Sequence, residues 1–138
     1  MTTLYRFCPQ SEYPDCADGG GPTGLVQGTD GSFYGTTNSG GMQCDGLVTC
    51  GTVFSLSAGL GSFVETQPTS GQTGVAVKIL GTNLTGATSV TLNGTRAAFT
   101  VVSPSLITTT VPTGATTGTV QVVTPDGTLS SNVPFRVA

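Results

Sequence analysis

Glycine, proline and threonine recur so densely that every window longer than about ten residues is interrupted by at least one of them. Glycine and proline break helices, and threonine is stiff at χ1 and favours extended backbone, so the chain reads as all-β. The charge content reinforces this. Only 8% of residues are charged and the net charge is −3, which leaves few of the exposed ion pairs that usually line solvated helices. Apolar residues make up 36% and are evenly spread, so the chain is expected to fold rather than remain disordered.

The same composition removes whole classes of function. The four basic residues, Arg6, Lys78, Arg96 and Arg136, lie far apart, so there is no basic stripe to replace counterions along a nucleic acid. Histidine is absent, and neither a nucleophile elbow nor a phosphate-cradling loop ahead of a helix is present. The reading is therefore a non-enzyme with no cofactor and no resident metal. Asp15, Asp18, Asp30, Asp45 and Asp126 stand beside or near glycine, where aspartate stabilises turns through local backbone bonds. Calcium at "DCADGGG" or near Asp45 is the alternative, without EF-hand spacing to support it. No run reaches the 18 apolar residues of a membrane-spanning helix.

Cysteines fall as two close pairs in the first 50 residues, Cys8 with Cys16 and Cys44 with Cys50. Zinc sites use C-x₂₋₄-C spacing and often histidine, so disulfides are the better reading. Of the three connectivities, the two local bonds are favoured, because near neighbours close with the least entropy loss. Each ring would stabilise a small segment by roughly 2–3 kcal/mol. Disulfides imply an oxidising compartment, and the expected location is extracellular or on the cell surface. The opening "MTTLYRFCPQ" has no basic and apolar leader, so any export signal is expected to lie outside this sequence.

Three segments follow from composition: a cysteine-bearing β unit at 1–57, a glycine-rich linker at 58–62, and a sandwich at 63–138. In the last, "VAVKIL" puts Val75, Val77 and Ile79 on one face and Ala76, Lys78 and Leu80 on the other. Lys78 thus faces solvent rather than a crosslinking partner. Asn93-Gly94 is a two-residue hairpin signal, and Pro125-Asp126-Gly127 joins two further strands. Asn83 and Asn93 match the N-glycosylation pattern but read as turn residues. The runs "QPTSGQTGVAVKILGTNLTGATSVTLNGTRAAF", "VPTGATTGTVQVVTPDG" and "VPFRV" resemble an IPT/TIG domain. The resemblance implies an immunoglobulin-like β-sandwich; such domains serve as spacers, receptor modules, enzyme appendages and, in one branch, DNA-binding parts.

In the first unit "TLYRF", "GLVQG", "SFYGTT" and "GTVFSL" read as four short strands, with Asp30-Gly31 as a hairpin turn. The pattern L-x-x-G-x-D-G-x-x-Y-G-T-T-x-x-G-G followed by G-T-V-F resembles a secreted bacterial repeat often called GloVer, which normally runs in tandem. Here it occurs once. A lone repeat leaves uncovered the faces that neighbours would bury. The expected function is therefore structural or adhesive, with copies of the chain adding head to tail into a filament through the strand edges of this unit. Leu4, Tyr5, Phe7, Phe33, Tyr34 and Phe54 are the candidate assembly or binding residues. The alternative is a carbohydrate-binding or spacer module of a larger secreted enzyme or surface protein, with extracellular polysaccharide as partner.

Overall fold

The structure is a computed structural model, and it describes residues 2–9, 16–44 and 48–138, with the side chains of 43–44 and 48–49 outside the description. Asp15 and Asp45 fall outside the described residues. The chain divides into two compact units, Met1–Leu60 and Gly61–Ala138. Every named element is a β-strand.

In the second unit, two four-stranded antiparallel sheets face each other. One runs β11 (Phe99–Ser103), β12 (Leu106–Thr110), β8 (Ala76–Leu80) and β6 (Glu65–Gln67). The other runs β10 (Thr95–Arg96), β9 (Ser89–Leu92), β13 (Val120–Thr124) and β14 (Gly127–Ser130). A short parallel pair, β7 (Ser70–Gly71) with β15 (Arg136–Val137), completes it. Period-two alternation decides what goes inside. Val77 and Ile79 of β8 and Ile107 of β12 are buried against Val90 and Leu92 of β9 and Val120 and Val122 of β13. Lys78 points outward, as its phase requires. Ile79 and Ile107 are direct cross-strand partners at the centre of their sheet.

Turn chemistry closes these sheets where the sequence places it. Asn93 and Gly94 take φ of 45° and 84°, the left-handed pair of a type I′ turn, and Leu92 pairs with Thr95 across it. The Asn93 side chain is occupied, donating to Thr116 Oγ1 at 2.8 Å and to the Thr117 carbonyl at 3.2 Å. Buried threonines are also satisfied: Thr109 Oγ1 donates to the Ala98 carbonyl at 2.7 Å and Thr124 Oγ1 to that of Gly127 at 3.1 Å.

The first unit is built differently. Its main sheet has three antiparallel strands in the order β1 (Gly20–Gln27), β2 (Phe33–Ser39) and β5 (Val53–Leu56), and β3 (Gln43–Cys44) pairs with β4 (Val48–Thr49). Thirteen of the fourteen buried apolar side chains among the described residues belong to the second unit; the first contributes Cys16 alone. Backbone approach replaces side-chain packing. A Cβ on Gly40 would strike the Cys16 carbonyl, and one on Gly51 would strike that of Thr37. Thr37 is buried and acts as a hub, donating to the Ser39 carbonyl at 3.1 Å and accepting from the Thr52 amide at 2.8 Å.

One sequence expectation changes here. The segment "TLYRF" forms no strand: the Tyr5 hydroxyl and the following Cys8 amide donate to the Asp18 carboxylate, the Phe7 ring packs on Phe54, and Cys8 leaves extended backbone at φ 51°. Asp30-Gly31 forms the hairpin turn between β1 and β2, as a three-residue loop. Gly28 N bonds to Ser32 O at 2.8 Å, and only Gly31 takes positive φ, at 87°.

Candidate association surface of the N-terminal unit

Residues Gly24 to Gln27 pair with β2 in a single register, and a shift between Pro22 and Gly24 bends the start of β1. Proline can sit there because this is an edge strand. Apart from half-buried Gly20, every residue of β1 is exposed, with Leu25 at 55% and Val26 at 67% on opposite faces.

β5 forms the other edge. The Thr37 amide bonds to the Thr52 carbonyl at 2.9 Å, which makes 37 and 52 a hydrogen-bonded pair. Antiparallel ladders alternate, so Gly35 with Phe54 and Phe33 with Leu56 follow as hydrogen-bonded pairs. The N–H and C=O groups of Val53 and Ser55 therefore point away from β2, along the open side of the sheet. The Val53 side chain is 82% exposed. Neither β1 nor β5 carries a charged residue.

A groove of about 400 Å³ runs along that open side, lined by Thr52 to Leu56 and, opposite, by Tyr5, Phe7, Ala17 and Asp18. Tyr5 and Phe7 meet edge to face with centroids 5.0 Å apart, and Phe7 meets Phe54 at 4.6 Å. Asp18 fixes the segment: the Tyr5 hydroxyl donates to its Oδ2 at 2.9 Å, and the Cys8 amide donates to Oδ1 at 3.0 Å and Oδ2 at 3.2 Å. The Cys8–Cys16 disulfide, with Cα atoms 4.6 Å apart, ties the same corner. Cys50 is also disulfide-bonded.

Of the six candidate residues, Tyr5, Phe7 and Phe54 come together. Leu4 is exposed beside them without lining the groove. Phe33 pairs with Leu56 and so shares the face of Phe54, whereas Tyr34 is on the other face. Tyr34 serves the hairpin tip: its hydroxyl donates to Asp30 Oδ2 at 2.6 Å, and the Ser32 amide donates to Oδ1 at 3.0 Å. The Tyr34 bond, then the Ser32 amide, hold the Asp30 carboxyl below its ordinary range. The same bond pushes the Tyr34 phenol up. Sequence reasoning gave Asp18 only a turn role and missed it as the anchor of Tyr5 and Cys8. The signal available was its position two residues after a half-cystine.

Residues 62–137 match the model of the IPT/TIG domain. The chain belongs to the IPT/TIG family. No curated protein matches it. IPT/TIG domains are immunoglobulin-like modules that are non-catalytic as a family and often occur in extracellular or surface proteins. The Cys8–Cys16 disulfide is consistent with that setting. Among the described residues, no helix is long and apolar enough to cross a membrane, and no group of three or more cysteine or acidic side chains could hold a metal ion.

Proposed function

We propose that this IPT/TIG protein is a non-enzymatic extracellular structural or adhesive module whose N-terminal unit, a single GloVer-type repeat, joins copies of the chain head to tail. The observation that carries this is the contrast in burial. The sandwich has a full apolar core, while the N-terminal sheet has two uncharged edges and exposes Leu25, Val26 and Val53. Monomeric β proteins normally blunt such edges with charge, proline or a bulge; β1 carries Pro22 and a register shift, whereas β5 carries no charge and no proline, so β5 is the edge that accepts another strand. Contact between one edge of a copy and a different surface of the next is heterologous, and it propagates into a filament unless the rotation closes.

Light scattering and negative-stain microscopy across a concentration series test this on the full chain. Wild type should form filaments, and Val53→Lys should shift the protein to monomer by placing a charge on the β5 edge. A wild type that stays monomeric at high concentration, or a variant that assembles unchanged, refutes the proposal. The groove ringed by Tyr5, Phe7 and Phe54 favours one second reading, a carbohydrate-binding module. A monomer retained on polysaccharide and released by Phe54→Ala would establish it.

A further inference from the structure

Residues 2–9 form no strand and bury no apolar side chain, yet they are placed by a dense set of contacts. A disulfide and three hydrogen bonds converge on one corner, residues 16–18. The disulfide joins Cys8 to Cys16; two residues on, Asp18 accepts from both the Cys8 amide and the Tyr5 hydroxyl. The corner itself is fixed, because the Cys16 carbonyl accepts from the amides of Gly19 at 2.9 Å and Gly41 at 3.1 Å. Beyond it the segment meets the sheet where the Phe7 ring packs on Phe54.

Both half-cystines sit at positive φ, 51° for Cys8 and 31° for Cys16, a region that side-chain-bearing residues occupy at a cost and keep only when their surroundings enforce it. Here the enforcing link is covalent. Remove it, and non-covalent contacts at the segment's rings and amides must hold eight residues against their conformational entropy, with two backbone positions free to relax.

We infer that residues 2–9 are a clasp beside the open edge of β5, locked by the Cys8–Cys16 bond and opened by a dithiol reductant. The thiolate of the reductant attacks Sγ of Cys8, which is half-buried, in preference to that of buried Cys16. A mixed disulfide forms on Cys8 and the Cys16 thiolate leaves. The second thiol of the reductant then displaces Cys8, so the protein gains two electrons and two protons as two thiols and the reductant departs as its own disulfide. With the lock open, Tyr5 and Phe7 withdraw from Thr52–Leu56 and the strand edge loses its wall. This goes beyond the assembly reading, since the clasp opens in a monomer as well as in a filament.

Trypsin reads the clasp directly, because Arg6 is the only lysine or arginine before Lys78. Cleavage after Arg6 is followed by mass spectrometry on the full chain, oxidised and after dithiothreitol, together with hydrogen exchange at the Cys8 amide. Reduction should raise the cleavage rate by roughly tenfold or more, following the population of the open form, and remove the protection of the Cys8 amide. Cleavage after Lys78, Arg96 and Arg136 should stay unchanged, which separates release of the clasp from unfolding. The variant Cys8→Ser/Cys16→Ser should be cut at the fast rate with no response to reductant. An Arg6 rate and Cys8 protection that do not change on reduction overturn the inference. So does a double variant that still responds, which would place the sensor at the Cys50 bond. Should the variant prove unfolded by its cleavage after Lys78, the wild-type exchange result decides alone.

Discussion

Truncating Ile107 to alanine removes three carbons from the centre of a sheet, at a residue that is fully buried and pairs directly with Ile79. Each carbon is worth about 0.8 kcal/mol in transfer, so the loss begins at about 2.4 kcal/mol. A cavity term adds to this, because Ile79, Val77 and Val120 belong to interlocked strands that cannot collapse freely, and the total should reach about 3–4 kcal/mol. For a domain of this size, 1 kcal/mol moves the melting temperature by about 4–8 °C, which places the sandwich transition on the order of 12–32 °C lower. Differential scanning calorimetry of Ile107→Ala measures it. Val102→Ala is the matched control, because Val102 is exposed on neighbouring β11 and its truncation should stay within about 0.5 kcal/mol. Equal shifts for the two variants, or a fall below about 4 °C for Ile107→Ala, would refute the assignment of the core.

Tyr34→Phe should let the Asp30 carboxyl titrate closer to the ordinary aspartate value of 3.8, read by NMR of its side-chain carbon. Asp30 is lowered in the folded chain, so its share of stability is present above that value and lost as pH falls through the folded one. Tyr34 is raised, so its share is present below 10.0 and lost as pH rises through the folded value. An unmoved Asp30 midpoint would show that Ser32 alone sets it. Peptide mapping without reduction should link Cys50 to Cys44, and a Cys50 bond to any other cysteine refutes the local pairing.

What could be read from sequence is whatever local chemistry decides. The phase of "VAVKIL" turned Val77 and Ile79 inward because alternation has no other solution on a two-sided sheet, and Asn93-Gly94 declared its turn because both residues accept left-handed backbone. Such signals failed where a tertiary partner overrode them. "TLYRF" alternates well enough for a strand, but Asp18, ten residues beyond Cys8, captures the Cys8 amide and Tyr5 before any neighbouring strand can. β1 begins at Gly20, upstream of "GLVQG", because its ladder continues through Pro22 across an irregularity that no periodicity announces. The groove was half legible. Aromatic residues marked its walls, but the outward direction of Val53 and Ser55 depends on which register β5 takes against β2.

Gly40 against the Cys16 carbonyl and Gly51 against that of Thr37 have a consequence for how this unit can diverge. In the sandwich, substitutions are filtered by volume, and one apolar residue can replace another of similar size. In the N-terminal unit the filter is the presence of any side chain at the crossings, while most of the surrounding surface is free to change. Related units should therefore drift widely at positions such as Met42 yet keep hydrogen at Gly40 and Gly51, preserving a skeleton of glycines long after their other residues have ceased to align.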